Sequence, residues 1–473
     1  MLPDDGPVDV FLEGDRIADI APAGVLPSRG EVLRADGAWL VPGLWDHHVH
    51  VLQWALAATR VALGDAESAA HAAALMGAAA PVDGRRVGVG FRDAFWADAP
   101  SLAVLDASTG DVPTYLINAD VHSAWLNTAA LRREGFDAAD GVLREEDAFE
   151  ISRRLNAVDA DAGDARVALI AREAAARGLV GLVDLDMAWN DEAWARRVAG
   201  GFDTLRVRYG IYPEHLERAI AEGLRSGDPV HGDERGLVRV GPLKVITDGS
   251  LGTRTAACSH AYPEGGHGRL SVDERTLHEL MTRATGAGLG CAIHAIGDRA
   301  NSLALDAFAL TGAVGTIEHA QLVAHADIPR FARLGVTASV QPEHALDDRD
   351  LTDTVWAAQT AQPYPLRSLA AAGANLVLGS DAPVSPLDPW AAIAGAVFRT
   401  RGGRDAWQGH ERLDVDTALD AATAGGSRAG ARIEPGATAD LVLCAADPHD
   451  VDESGMRGMS VRATLLGGRV THT

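Results

Sequence analysis

Two histidines at the end of the segment LWDHHVH have a spacing that suits metal binding. His48 and His50 are two positions apart, so their side chains project from the same side of an extended strand. Neutral imidazole nitrogens are common ligands of zinc and of other first-row divalent ions. Two packed or surface histidines would give the same pattern, so the motif indicates a metal site only if further ligands lie nearby.

Four more titratable residues occur in or directly after short apolar runs. They are Lys244 in LKVITDGS, His294 in AIHAIGD, His319 in TIEHAQ and Asp381 in LVLGSDAP. Buried strands of a parallel sheet are nearly continuous apolar runs, so ionisable groups at their carboxyl ends need a functional reason. Four histidines and one aspartate suit one or two catalytic divalent ions, zinc being the expected metal, with a coordination position left for water.

Lys244 is the single lysine among the 42 Lys and Arg residues of the chain. A GC-rich coding sequence explains arginine at sites that need only a positive charge, and it isolates the one lysine that remains. A protonated ammonium beside a divalent ion is repelled and offers no lone pair. Two interpretations remain: Lys244 faces the substrate as a cation, or its pKa is lowered and the neutral amine adds carbon dioxide. The resulting N-carboxylysine is an anionic ligand able to bridge two metal ions.

The elements that must position these residues follow a repeating pattern. Short β-branched runs alternate with amphipathic stretches rich in Ala, Arg and Glu, which is typical of repeated βα units. The predicted strands cover residues 44–48, 181–185, 205–211, 243–247, 291–294, 315–319, 337–341 and 376–380. Eight such strands predict an α/β fold with a (β/α)₈ TIM barrel, whose active site lies at the carboxyl ends of the strands.

The two ends of the chain have a different texture from the middle. Residues 1–42 and 430–473 contain short alternating segments separated by Gly, Pro and Asp, as strands and hairpins require. They predict a small β-sandwich built from both termini beside a barrel domain at 43–429. A long insertion is predicted after the first barrel strand, at about 52–165.

Aromatic side chains of the insertion allow two interpretations. Phe95, Trp96 and Trp125 either form an apolar lid over the active site or anchor a small core of the insertion itself. If Trp125 belongs to a lid, its replacement by Ala raises KM for apolar substrates. If it belongs to the core, only stability changes.

Composition and charge argue against several classes of protein. The 473 residues carry 42 basic and 66 acidic side chains, a formal net charge of −24 at pH 7. Nucleic acid or an anionic membrane face would need a basic patch, so neither is an expected partner. No apolar run reaches the length of about 18 residues that a spanning helix needs. Three scattered cysteines and an acidic first segment predict a cytoplasmic protein, and a homodimer is compatible with the sequence.

The chain resembles the amidohydrolase superfamily, in particular the branch of N-substituted formamide deformylases and YtcJ-like proteins. The resemblance covers nearly the whole length and rests on the segments PGLWDHHVH, VHSAWLNTAAL, GVLRE, LKVITDGSLGTRTAA, HAIGDRAN, IEHAQLV, SVQPEHA, GSDAPVSPLDPW and IEPGATADLVL. One segment, GLVGLVDLD, departs from the usual Gly-(Ile/Val)-Thr-Ser run before the second strand, and it contains no proposed ligand. The resemblance implies a role for each of six residues: His48 and His50 as first-strand ligands, Lys244 as a carboxylated bridge, His294 and His319 as further ligands, and Asp381 as the base.

The implied reaction is hydrolysis of a carbon–nitrogen bond in a small uncharged amide, such as an N-substituted formamide, by metal-activated hydroxide. Asp381 is expected to take a proton from water and return it to the departing nitrogen, although a strand-end Asp also caps helices. His344 and His122, with Asn127, are expected either to hold the substrate carbonyl or to make local hydrogen bonds. Turn geometry alone would account for Asp248.

Two other functions remain open for this sequence. A deaminase or cyclic-imide hydrolase uses the same framework, usually with one metal and without the modified lysine, so metal stoichiometry separates it from an amide hydrolase. A catalytically silent relative that serves as a binding protein is the other alternative. Such relatives typically lose ligand residues, and all six positions are filled here.

Overall fold

The computed structural model describes residues 6–27, 30–57, 60–156 and 159–473. Its central sheet has eight parallel strands that lie side by side in chain order. They span Leu44–Val49, Leu179–Asp184, Arg206–Ile211, Val238–Ile246, Cys291–Ala295, Gly315–His319, Thr337–Val340 and Asn375–Leu378. The strands are mostly buried runs of aliphatic residues, as expected where helices cover a parallel sheet.

The sheet closes on itself through the segment after the eighth strand. Val49 and Ala382 form a parallel bridge. The Asp381 N–H donates to the His48 carbonyl over 2.7 Å, and the His50 N–H donates to the Ala382 carbonyl over 2.9 Å. The predicted TIM barrel is therefore confirmed, and each predicted strand overlaps an observed one, although the fourth begins earlier, at Val238.

Helices pack around the barrel and connect its strands. They span Val51–Ala57, Ala160–Ala176, Asn190–Ala199, Leu216–Glu222, Glu274–Gly286, Asp298–Thr311, Ile328–Leu334, Pro342–Asp347, Arg349–Val355, Leu366–Ala371, Pro389–Phe398 and Val415–Ala421. Local caps define their starts: the Asp273 carboxylate accepts the Thr276 N–H over 2.8 Å before Glu274–Gly286. Among the described residues, no helix combines the length and apolar character that crossing a membrane requires.

A second α/β unit lies in the chain between the first and second barrel strands. Its five-stranded sheet is formed by Val61–Ala62, Arg86–Phe91, Thr114–Asn118, Ser123–Leu126 and Val142–Arg144. The helices of this unit span Ala69–Ala78, Leu102–Thr109, Thr128–Glu134 and Glu146–Asn156. The Ala-rich segment AESAAHAAALMGAAA contains the first of these helices, and PTYLINADVH contains the strand Thr114–Asn118. The boundaries predicted from the sequence remain predictions: about 52–165 for the insertion, 43–429 for the barrel domain, and 1–42 with 430–473 for the sandwich.

Both chain ends contribute to the predicted β-sandwich, which is confirmed. An antiparallel hairpin is formed by Val8–Glu13 and Arg16–Pro22, and a four-stranded sheet by Trp39–Pro42, Leu441–Cys444, Val461–Leu466 and Arg469–His472. Ile17 of the hairpin is buried with Leu441, Leu443 and Leu465 of the sheet. Its N–H also donates to the Ala437 carbonyl over 2.9 Å. Apolar packing thus joins the two sheets, with a short helix at Glu453–Arg457 nearby in the chain.

Candidate metal centre

Three predicted ligands meet where the first and eighth barrel strands adjoin. Nε2 of His50 lies 3.2 Å from Oδ1 of Asp381, and Nε2 of His48 lies 3.4 Å from the same oxygen. One ligand atom from each of these three residues lies within 4.8 Å of the other two. All three side chains are largely buried, so this group has the spacing and donor types of a metal site.

A second group shares Asp381 and extends around the barrel mouth. His319, His344 and Asp381 also offer ligand atoms within 4.8 Å of one another. Oδ2 of Asp381 lies 3.9 Å from Nε2 of His344, so its two oxygens face different histidines. The His294 ring centre lies 4.6 Å from that of His319, which is 5.0 Å from that of His48. The structure therefore brings the predicted histidines and Asp381 into one cluster.

The backbone after the eighth strand places Asp381 in this cluster. Asp381 adopts a left-handed φ of 56°, which turns the chain directly after the strand. Asp46 holds the preceding residue in place, because its carboxylate accepts the Ser380 N–H over 2.9 Å. A Cβ on Gly379 would stand 2.9 Å from the backbone nitrogen of His48, so only glycine lets the two strands approach this closely.

Glu318 is a site residue that the sequence analysis missed. Its Oε2 lies 2.6 Å from Nδ1 of the buried His48, which fixes the orientation of that ring. Burial alone would raise the pKa of Glu318, but the hydrogen bond and the charges of His48 and Lys244 lower it to about 2. Glu318 stands directly before His319, and an acidic residue inside a buried strand was the available signal.

The backbone at the end of the sixth strand lets two consecutive residues act on the cluster. Neighbouring side chains of a regular strand point to opposite faces. His319 has a φ of 72° and Ala320 a φ of 42°, so the regular alternation ends there. The His319 ring is then held by a hydrogen bond of 2.8 Å between its Nδ1 and Oε1 of Gln341.

Lys244 lies on the fourth barrel strand and is 1% exposed. Burial lowers its pKa, and the charges of Glu318 and Asp381 act in the opposite direction. Its charge in turn lowers the pKa values of His48 and His294. The side chain is therefore close to the cluster in electrostatic terms, and its burial favours a neutral amine over an ammonium.

Asp248 supports the cluster from the loop after the fourth strand. Its carboxylate accepts the Ala257 and Gly297 N–H groups over 2.9 and 2.8 Å, and it stands 3.5 Å from Nε2 of His294. Burial raises the pKa of Asp248 to about 7 against these hydrogen bonds. Its backbone contacts agree with the turn role expected from the sequence, and they fix the loops beside His294.

The insertion supplies His122 but not Asn127. Nδ1 of His122 lies 2.9 Å from Oε2 of Glu145, and its ring centre lies 6.5 Å from that of His294. Burial lowers the pKa of His122, but Glu145 and Asp120 outweigh it, so the net pKa is raised. Asn127 is fully buried, where it caps the helix Thr128–Glu134 and donates to the Val112 carbonyl over 2.9 Å. Of the two roles left open for Asn127, the structure shows local hydrogen bonds, and Asn127 is not among the residues of the cavity wall.

The lid interpretation is wrong for both tryptophans. Trp125 is fully buried in the core of the insertion, together with Met76 and Leu116. Trp96 packs against the same core, and its Nε1–H donates to the Ala66 carbonyl over 2.9 Å. These indoles are therefore structural. The Phe95 side chain lies outside the described part of the chain.

A cavity of about 470 Å³ opens onto the cluster. Its wall includes four residues of the cluster, His294, His319, His344 and Asp381. Other parts of its wall come from the insertion and from the loop at 250–255. His122 lies on the insertion side, so the cavity connects it with Asp381. A small molecule in this cavity would contact both.

The donor set fits a bound divalent ion. Among the described residues, Nδ1 of His50, Nε2 of His294 and Nε2 of His344 are buried without a hydrogen-bond partner. Buried imidazole nitrogens left without partners are costly unless they bind something. Two of them lie near carboxylate oxygens, since Nε2 of His294 is 3.5 Å from Asp248 and Nε2 of His344 is 3.9 Å from Asp381. Mixed nitrogen and oxygen donors of this kind suit zinc and its neighbours in the first row.

The comparisons with known proteins agree on one family. The model of the amidohydrolase family matches residues 31–472. "Protein LONG AFTER FAR-RED 3" of Arabidopsis thaliana is 28% identical over 92% of this chain and 82% of its own length. An N-substituted formamide deformylase of Arthrobacter pascens is 24% identical over 97% of this chain and 94% of its own length.

A solved structure supports the same assignment. The crystal structure of an uncharacterized metal-dependent hydrolase from Pyrococcus horikoshii OT3 superposes with a TM-score of 0.80 and 25% identity. It covers 94% of this chain and 95% of its own. The family match over nearly the whole chain, the barrel and the clustered donors agree with one another. This chain therefore belongs to the amidohydrolase family, as the sequence predicts, and is a metal-dependent hydrolase of that superfamily.

Proposed function

We propose that this protein hydrolyses the carbon–nitrogen bond of a small non-peptide amide, for which an N-substituted formamide is the starting candidate. The proposal rests on the position of Asp381 in the cavity wall. Its Oδ1 lies 3.2 Å from Nε2 of His50, and its Oδ2 lies 3.9 Å from Nε2 of His344. The similarity to an N-substituted formamide deformylase supports the choice of bond.

Six side chains would hold one or two divalent ions, with zinc expected: His48, His50, Lys244, His294, His319 and Asp381. A bound ion of this kind lowers the pKa of water towards 7 and polarises a carbonyl group. Lys244 would take part as an N-carboxylysine. Its neutral amine forms a bond to the carbon of carbon dioxide and releases one proton, which leaves an anionic carbamate. The burial of Lys244 supports this state over a free ammonium.

Asp381 is the proposed proton carrier. Burial raises its pKa, but His48, His50 and His319 hold the pKa well below the usual range, so the carboxylate is ionised at neutral pH. It takes a proton from the attacking water and passes it to the departing nitrogen. A carboxylate that faces the cavity and several histidines has the geometry for both transfers.

His344 and His122 are proposed to bind the substrate carbonyl from two sides of the cavity. His344 lies beside Asp381, and no hydrogen-bond partner of its Nε2 is found in the described part of the chain. His122 is anchored by Glu145, which favours its protonated, hydrogen-bond-donating form. Donors aimed at the carbonyl oxygen stabilise the negative charge that develops there during attack.

Metal content, mass and turnover test this function together. We expect two divalent ions per chain, one added carboxyl group in the intact mass, and release of formate from N-alkylformamides. The Asp381→Asn variant should lose about 10²- to 10⁴-fold in kcat/KM, the range for a general acid–base group. One ion, an unmodified lysine and release of ammonia would instead indicate a deaminase. Metal binding without any turnover would indicate a silent relative.

A further inference from the structure

The insertion places two carboxylates on the wall of the active-site cavity. Asp93 and Asp120 both line the cavity. Among the described residues, neither has an ion pair with a Lys, Arg or His side chain within 4.0 Å. A carboxylate that faces a cavity is usually paired when it is partly buried. These two therefore remain available to a ligand.

The side-chain amide of Asn118 joins the carboxylate of Asp93 to the backbone of Asp120. The Asn118 side chain donates to Oδ1 of Asp93 over 2.9 Å and accepts the Asp120 N–H over 3.2 Å. Oδ2 of Asp120 accepts the Ser250 hydroxyl over 2.9 Å, which ties Asp120 to the loop after the fourth barrel strand. The insertion and the barrel thus hold both carboxylates in fixed positions.

The arginines of the cavity wall do not neutralise these two carboxylates at close range. Arg92 pairs with Asp347 at 3.0 Å, Arg144 with Asp140 at 2.9 Å, and Arg254 with Glu264 at 2.7 Å. Arg144 acts on Asp93 only at longer range. Burial raises the pKa of Asp93, and the charge of Asp120 adds to this effect. A cationic ligand would relieve both costs.

The rest of the cavity wall combines polar and aliphatic side chains. The tryptophans of the insertion are packed in its core, so the described wall residues include no large aromatic side chain. His294 and His344 line the same cavity, are 5% and 9% exposed, and keep Nε2 without a hydrogen-bond partner. Unpartnered buried nitrogens and carboxylates without an ion pair on the same cavity wall describe a site for a molecule with more than one polar group.

We infer that the nitrogen substituent of the substrate carries a positive charge, such as a protonated amine, which Asp93 and Asp120 bind while the amide lies at Asp381. The inference rests on the proposed function for the position of the amide. Asp93 and Asp120 then select the substrate, and the histidine cluster acts on its amide bond. Charge-assisted hydrogen bonds to the two carboxylates favour an ammonium over a methyl group of similar size.

Three formamides of similar size test the charge preference directly. They are N-(3-aminopropyl)formamide, which is cationic, N-butylformamide, which is neutral, and N-formyl-β-alanine, which is anionic. Calorimetric titration of the Asp381→Asn variant, once its metal content has been verified, measures binding with turnover lowered about 10²- to 10⁴-fold. We expect the cation to bind at least about tenfold more tightly than the neutral compound, and the anion more weakly than both. Equal affinities, or tighter binding of the neutral compound, would overturn the inference.

Substitution of Asp93 tests the assignment of this preference to the insertion wall. The Asp93→Asn change keeps the hydrogen bond geometry with Asn118 and removes the charge, so the cation-to-neutral affinity ratio should fall at least about tenfold. Asp137→Asn is the matched control, because it removes one exposed charge from the same insertion outside the cavity wall. The control should keep the ratio of the parent. A ratio that survives in Asp93→Asn would overturn the assignment.

Binding and turnover separate this inference from the proposed function. If the metal-loaded protein binds the cation selectively but hydrolyses none of the formamides, the proposed reaction is wrong and the charge preference stands. If it hydrolyses all three with equal kcat/KM and binds them equally, the reaction stands and the charge preference is wrong.

Discussion

Glu318 offers the sharpest test of how the protein prepares its metal ligands. The substitution Glu318→Gln keeps the shape and leaves an oxygen to accept from Nδ1 of His48, but it replaces the buried charged bond of 2.6 Å by a neutral one. Hydrogen bonds to charged groups contribute about 1.5–3 kcal/mol and neutral ones about 0.5–1.5 kcal/mol, a difference of about 1–2 kcal/mol. Loss of a partner that orients a metal-bound imidazole typically weakens metal affinity 10- to 100-fold. Since tenfold is about 1.4 kcal/mol, the two estimates overlap.

The assay is a chelator competition titration of the metal-loaded parent and variants. Glu411→Gln is the matched control, because Glu411 is similarly buried and accepts the Ser368 N–H over 2.9 Å, but it belongs neither to the cavity wall nor to the groups of candidate ligands. Both variants should lose thermal stability. Only Glu318→Gln should show the increase in metal Kd. Equal metal affinities for the parent and Glu318→Gln would refute the role given to Glu318.

Three further predictions test packing, backbone and charge. Trp125→Ala should cost about 3–5 kcal/mol in urea unfolding with KM unchanged, and a raised KM at unchanged stability would contradict its place in the insertion core. Gly379→Ala should lower the stability by about 1–3 kcal/mol and should also lower the metal content, because the added Cβ meets the backbone of the first barrel strand. A Gly379→Ala variant with the stability and metal content of the parent would contradict this. Burial lowers the pKa of His449, but Asp416 and Asp447, at 3.1 and 3.0 Å, raise it overall. The protonated His449 ring stabilises the folded state at pH values below its pKa in the unfolded chain, and this contribution is lost as the pH rises through its folded-state pKa. The His449→Gln variant should therefore be less stable than the parent at pH 5.5 and equal to it at pH 9.

The strands and the polar residues at their ends were predictable because the burial of parallel strands governs both. Buried parallel strands require apolar runs, so His294, His319 and Asp381 stand out as exceptions at one end of such runs. Once a barrel is inferred, its geometry gathers those ends at one mouth. The cluster around Asp381 confirms that this set of residues converges, and the metal and catalytic roles given to them remain proposals.

Residues that act through another residue were harder to find. His319 joins Glu318 at the cluster because the chain leaves the regular strand alternation at His319, and sequence spacing contains no sign of that positive φ. Asn127 and Trp125 are residue types that often line binding pockets. In the structure, Asn127 caps a helix and Trp125 packs in the core of the insertion. Which face of the insertion meets the barrel depends on tertiary packing, which local patterns do not encode.

Metal binding by six side chains at the mouth of the barrel underlies the proposed function. Anomalous diffraction from crystals of the metal-loaded protein, collected above and below the absorption edge of the bound metal, tests it directly. We expect two anomalous peaks in contact with the cluster of His48, His50, His294, His319 and Asp381, and continuous density for a carboxyl group on Lys244. A metal-replete crystal whose peaks lie away from these histidines, with an unmodified Lys244, would contradict this assignment.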